Sequence, residues 1–167
     1  VGLSGRYEVS QIQQRLERDA AEAVTDIRAG FTRNIQSMQA LQSSEPGTAT
    51  WRVMANDLLR ENREIMRIEW RDEDLGMTAF ADTPYRSPVF ERLGRSSTQS
   101  DVSLACNTSK RLSGAAYSVS YFMPQPDGLG FEMLDMCMPI MVAGKLEGYA
   151  VATYSLQDVL AELVNKQ

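Results

Sequence analysis

A chain of 167 residues, 43% apolar and 23% charged, carries the apolar material of one folded domain. Its 17 Lys and Arg against 22 Asp and Glu leave a net charge of −5, and the basic residues are scattered, which argues against nucleic acid as a partner. There is no histidine, so most hydrolase triads and most zinc sites are excluded, and no run of 18 apolar residues is present to cross a bilayer.

From Ser10 to Leu41 the apolar residues Ile12, Leu16, Ala20, Val24, Ile27, Phe31, Ile35, Met38 and Leu41 recur every three or four positions. That spacing keeps them on one stripe of a helix, about 45 to 60 Å long, more than a compact domain of this size needs. The first turns are therefore expected to protrude or pair, and with Val1 already inside the helical pattern the sequence reads as a piece of a longer protein. Gly30 is the weak point of the helix, costing about 1 kcal/mol relative to alanine. Ser43 to Gly47, with Pro46, ends it. Thr48 or Thr50 then caps a second helix over about Trp51–Asn62.

The apolar period next shortens to two. Ile65–Trp70 reads as a strand, the acidic Arg71–Gly76 as a turn and Met77–Ala81 as the returning strand. An irregular excursion follows, with Pro84, Pro88, a helical turn or two over Pro88–Leu93, a polar run, and a short helix that Asp101 would cap. Three strands close the sheet, at Ala115–Met123, Phe131–Met141 and Leu146–Tyr154, and Ser155 caps a last helix over Leu156–Val164. The order predicts an α+β domain, a five-stranded antiparallel sheet with helices against its faces.

Cys106 and Cys137 are the two cysteines. Their spacing fits a disulfide or two buried thiols, and the apolar or small residues around each favour the thiols. Of nine methionines, Met136 and Met138 fall with Leu134 and Ile140 on the wholly apolar side of their strand, the place of core residues rather than copper ligands. Asp72-Glu73-Asp74 lacks the alternating ligands of a calcium loop and reads as a solvated turn. No metal and no cofactor is expected.

Three stretches, in order, resemble the extracytoplasmic PAS-like (PDC or Cache) sensor domains of bacterial membrane receptors, most of all those of sensor histidine kinases. They are Glu64–Asp74, similar to the opening strand that ends in Trp and an acidic turn; Tyr117–Phe122, similar to the pocket-lining third strand; and Met138–Leu156, with its Pro-ending strand, Gly-containing turn and Gly-aromatic strand. The resemblance covers about residues 50 to 165. It implies a PAS-like fold with a long N-terminal signalling and dimerisation helix at 1–44 and a ligand-binding domain at 48–167. It further implies a periplasmic location and flanking membrane helices, and the apolar stripe of Ile12, Leu16, Ala20 and Val24, too long for a five-stranded sheet to cover, predicts a homodimer formed through the N-terminal helix. The arginine-tryptophan-tyrosine signature of the amino-acid-binding branch is absent.

In that family the ligand sits between the sheet and the excursion after the second strand, which implies a pocket lined by Tyr117, Ser118, Ser120, Tyr121 and Asp135. Strand alternation alone puts Tyr117, Val119 and Tyr121 on one face, with Ser118, Ser120 and Phe122 on the other. Arg86, Arg92 and Arg95 lie on the excursion, and Lys110 and Arg111 follow the short helix. Arg86 or Arg95 is expected to face the pocket, and an organic acid to be the ligand, because a guanidinium grips a carboxylate bidentately. Asp135, inside an apolar strand, requires a partner if buried, either the ligand or one of these arginines. The reading is thus a small-molecule sensor domain with no enzymatic activity of its own. Its competitors are a structural dimerisation module of a membrane receptor or diguanylate cyclase, with no ligand, and a small carboxylate-based enzyme.

Overall fold

A computed structural model describes residues 2–90, 95, 97–126 and 128–164. Helix α1 (Gly2–Ala40) ends in a short 3-10 turn (Leu41–Ser43). Helix α2 (Ala49–Glu61) begins where the Thr48 hydroxyl accepts the Trp51 N–H, so Thr48 rather than Thr50 is the cap. Strands β1 (Ile65–Arg71) and β2 (Met77–Asp82) form the first hairpin. Its acidic turn is held by the Asp72 carboxylate, which accepts the N–H groups of Asp74 and Gly76 at 2.9 and 2.8 Å. Helix α3 (Gln99–Leu112) follows the excursion. Its cap position is Thr98, and the expected cap residue Asp101 lies in the first turn, where it still favours the positive end of the helix dipole. No helix forms at Pro88–Phe90, and Leu93 lies outside the described residues.

The remaining strands are β3 (Ala116–Tyr117), β4 (Tyr121–Pro124), β5 (Gly130–Val142) and β6 (Lys145–Ser155), before helix α4 (Leu156–Leu163), capped by the Ser155 hydroxyl. All pairings are antiparallel, in the order β2-β1-β6-β5, with β3 and β4 sharing the outer edge of β5. The sheet is five positions wide, as expected, but its edge position is split. β3 pairs Tyr117 with Met136, whereas β4 pairs Tyr121 with Met133, so four steps on one side answer three on the other. Ser118 still donates its N–H to the Asp135 carbonyl at 2.8 Å, but its hydroxyl, not its own carbonyl, accepts the Asp135 N–H at 2.9 Å. A shift of one residue reverses the facing of every later side chain. Tyr117 therefore stacks on Phe31 of α1, with centroids 5.4 Å apart, while Tyr121 points to the opposite face. The expectation that both share a face is corrected by this bulge.

The faces carry different loads. Against one lie α1, α2 and α4, with Met38, Leu41, Trp51, Leu59, Met136, Met138, Ile140 and Leu163 in a single apolar core. This confirms the apolar side of β5 read from its alternation. Gly30 is where α4 docks on α1, since a Cβ there would lie 2.7 Å from the Leu163 methyl carbons. The helix accepts its weak residue for close packing. The other face is covered by α3, whose Val102 and Ala105 cluster with Tyr149 and Val151 of β6, and by the excursion, whose Val89 and Phe90 cluster with Met66 of β1 and Met133 of β5. Cys106 of α3 and Cys137 of β5 form a disulfide with Cα atoms 5.1 Å apart, which corrects the preference for free thiols.

Before residue 23 α1 leaves the domain, and Val9, Ile12, Leu16 and Val24 are exposed, Leu16 at 64%. Among the described residues no helix is long and apolar enough to cross a membrane.

At Gly148 on β6 a Cβ would collide with the main-chain carbonyl oxygen of Arg71, which cannot swing aside as a side chain could. Gly148→Ala is expected to destabilise the domain by about 1–3 kcal/mol, read as a lower urea midpoint with unchanged slope. An unaltered midpoint would mean that the two strands do not approach each other there.

Candidate functional site

The side of the sheet opposite α1 is unusual for a core face because charged residues occupy it. In β1 the alternating residues Arg67, Glu69 and Arg71 point this way, all three buried. Asp135 of β5 and Thr153 of β6 are direct cross-strand partners and lie on the same face, also buried. Such groups persist in a core only where they satisfy one another.

Arg95, from the segment between β2 and α3, completes the set. Its Nε donates to the Thr98 hydroxyl at 3.1 Å. One terminal nitrogen donates to both oxygens of Glu69, each at 3.2 Å, and the other to the Tyr121 hydroxyl, at 2.8 Å, and to Asp135. Its guanidinium stacks over the Phe90 ring at 4.2 Å. Glu69 further accepts from Arg71 at 2.8 Å and from Arg67 at 3.3 Å, and Arg67 reaches Asp82 at 2.9 Å. Asp135 further accepts from the hydroxyls of Thr153 at 2.7 Å and Tyr121 at 2.9 Å. Three guanidiniums and three carboxylates thus meet in one network.

Protonation follows from this. Burial works to raise the Glu69 carboxyl, but Arg95, Arg71 and Arg67 outweigh it and hold the group below the usual carboxylate range. Burial pushes Asp135 up against the pull of Arg95, and burial with Asp135 beside it pushes the Tyr121 hydroxyl up, so it stays a phenol and a donor.

Above the network lies a cavity of about 630 Å³. The excursion supplies Pro88, Val89 and Phe90, the approach to α3 supplies Arg95, Ser97 and Thr98, the first turn of α3 supplies Asp101, and β4 with its turn supplies Tyr121 to Pro126. Among the candidates named from the sequence, Arg95 and Tyr121 line it, and Asp135 lies directly beneath them. Ser118 is buried and serves the Asp135 main chain. Three candidates are not brought to it. Tyr117 faces α1 because of the register shift, Ser120 is exposed, and Arg86 pairs with Asp158 of α4 at 2.8 Å with its guanidinium over Phe131. Lys110 and Arg111 are exposed at the end of α3, and Arg92 lies outside the described residues. The sequence reading missed Arg67, Glu69, Arg71, Thr98 and Thr153. A signal existed for the first three, since charges at every second position of an otherwise apolar central strand require a polar partner on that face.

The long leading helix and the antiparallel sheet flanked by helices make an α+β fold that is also found in ligand-binding and sensory domains of receptors. No family model and no curated protein matches the sequence. Solved structures do match in fold. One is the ligand-binding domain of the Pseudomonas aeruginosa amino acid chemoreceptor PctC in complex with GABA, at 15% identity and TM-score 0.59, covering 94% of this chain and 69% of that one. Another is the extracellular domain of vpHK1S-Z8, described as a histidine kinase, at 14% identity and TM-score 0.60, covering 95% of this chain and 60% of that one. A third is the sensory domain of the Campylobacter jejuni chemoreceptor CcmL with isoleucine bound, at 10% identity and TM-score 0.55, covering 97% and 69%. The chain spans 60% to 69% of the length of these three structures.

Proposed function

We propose that this domain is the extracytoplasmic input domain of a membrane receptor, binding a small molecule in the cavity under the excursion and having no enzymatic activity of its own. The carrying observation is that this cavity of about 630 Å³ rests on a charged network tying the excursion to β1 and β5. Its volume falls in the range of small-molecule sites. A ligand that binds one arrangement of excursion and sheet better than another shifts their equilibrium by its differential affinity, and the sheet carries α1 and α4 on its far face. The disulfide supports an oxidising compartment, consistent with a periplasmic domain flanked by membrane helices. The fold is shared by chemoreceptor and histidine-kinase domains; of the two outputs we favour the kinase, on the three stretches of resemblance.

The test is a thermal-shift screen with single metabolites. A ligand at 100 times its Kd is expected to add about 2.7 kcal/mol of stability. Ser97→Trp, an exposed position on the cavity wall, is expected to abolish that gain by filling the space. A gain that survives this substitution would place the ligand elsewhere.

A homodimer through α1 belongs to the same reading, because the exposed stripe of Val9, Ile12, Leu16 and Val24 extends beyond the reach of the sheet. Sedimentation equilibrium is expected to show a monomer–dimer equilibrium that Leu16→Glu weakens at least tenfold. Self-association unaffected by Leu16→Glu, or absent at millimolar protein, would remove α1 from that role. If the dimer forms while no metabolite binds, the ligand-free structural module is the better reading.

A further inference from the structure

We infer, resting on the sensor reading above, that the cavity selects a neutral or cationic ligand with an apolar body and discriminates against organic acids. Arg95 is the cation among the described residues that line the cavity, and it is already committed. A guanidinium has five N–H donors, and those of Arg95 meet five acceptor contacts within the chain, on Thr98, Glu69, Tyr121 and Asp135. Its side chain is 0% exposed. A ligand carboxylate would gain a donor from it only by stripping one from Glu69 or Asp135, leaving a buried carboxylate short of its partner. The floor offers an acid no net attraction either, because Arg67, Arg71 and Arg95 are balanced by Glu69, Asp82 and Asp135.

What the described walls do offer is different. Val89, Phe90, Phe122 and Met123 present apolar and aromatic surface. The Tyr121 ring stands beside them, its hydroxyl engaged below. Asp101, half-buried in the first turn of α3, is the acid on the wall, and it lines the cavity without belonging to the network on the floor. An ammonium group seated near Asp101 and an aromatic face gains from both, and an alcohol or amide loses nothing, whereas a carboxylate meets a like charge. The guanidinium that the sequence offers as a hook for acids is thus a strut for the floor.

The experiment uses sets of compounds sharing one carbon skeleton and differing in head group. They are the amine, alcohol and carboxylate of the hexyl and 2-phenylethyl series, added singly to the intact domain and measured by thermal shift and calorimetry. For at least one skeleton the amine or alcohol is expected to bind at least tenfold tighter than its carboxylate, and Ser97→Trp to abolish that binding. Asp101→Asn is expected to weaken the amine at least fivefold while leaving the alcohol unchanged. A carboxylate that binds as tightly as its amine, and is blocked by Ser97→Trp, overturns the charge selection and leaves the sensor reading intact. Binding of no head group on either skeleton overturns the selection as stated, and the sensor reading then stands or falls on the wider metabolite screen. An amine insensitive to Asp101→Asn removes Asp101 from the site.

Discussion

Arg95→Met is expected to cost about 3–5 kcal/mol at pH 7. The methionine fills similar space, so the loss is electrostatic. Glu69 keeps Arg67 and Arg71, at 3.3 and 2.8 Å, but Asp135 is left with the hydroxyls of Thr153 and Tyr121 and no cation. The pH dependence separates this cause from a packing defect. Burial already pushes the Asp135 carboxyl up, and without Arg95 it rises further. A carboxyl whose folded pKa exceeds its unfolded value takes up a proton on folding. Its contribution to stability is complete below the unfolded pKa and is lost as pH rises through the folded one. The deficit of the variant relative to the wild type should therefore shrink between pH 7 and pH 5. Glu69 has the opposite sign: held low by its guanidiniums, it contributes stability above its unfolded pKa and loses it as pH falls through the folded one. The wild type accordingly keeps this contribution at pH 5. Urea unfolding at the two pH values measures the difference, and a deficit equal at both would point to packing instead. Arg95→Met combined with Asp135→Leu should recover much of the loss, since no buried charge is then left alone.

Removing the disulfide, as Cys106→Ala with Cys137→Ala, is expected to cost about 3–4 kcal/mol. The bond joins residues 31 apart, and opening a loop of that size restores roughly this much conformational freedom to the unfolded chain. Both sulfurs are buried between α3 and the sheet, so the void left by their removal adds to this cost. The cost should appear in the urea midpoint of the oxidised protein against the double variant. Adding reductant to unfolded wild type, but not to unfolded variant, should reproduce it. Equal stability with and without the bond would mean that α3 is held by its apolar contacts alone. Because Thr98 holds the cap position of α3 and Asp101 lies in its first turn, both on the cavity wall, the proposed sensor role predicts weaker ligand binding by the double variant.

Much of the fold was legible along the chain. Apolar spacing of three to four marked α1, α2 and α4, and alternation marked β1, β2, β5 and β6, because burying one face of an element imposes its own period on the sequence. The core side of β5 followed from Leu134, Met136, Met138 and Ile140 for the same reason. The split edge was not legible. Tyr117 to Phe122 alternates as one continuous strand would, and the bulge that turns Tyr121 away from Tyr117 is closed by a hydrogen bond between Ser118 and Asp135, seventeen residues away.

The candidate site divides along the same line. The sequence alone determined that the domain is α+β, that its first helix outruns its sheet, and that Asp135, set in an apolar strand, requires a polar partner. These are properties of local pattern and residue chemistry, whereas Tyr121 and the arginines of the excursion were singled out by the resemblance to PAS-like sensor domains. Only the tertiary structure decided which arginine meets which carboxylate. Arg86 goes to Asp158, 72 residues on, and Arg95 to Glu69 and Asp135, 26 and 40 residues away on different strands. A charge carries no address in the sequence. Its partner is chosen where the fold brings opposite charges together out of water, and at this site that choice leaves no guanidinium among the described cavity walls free to hold an acid.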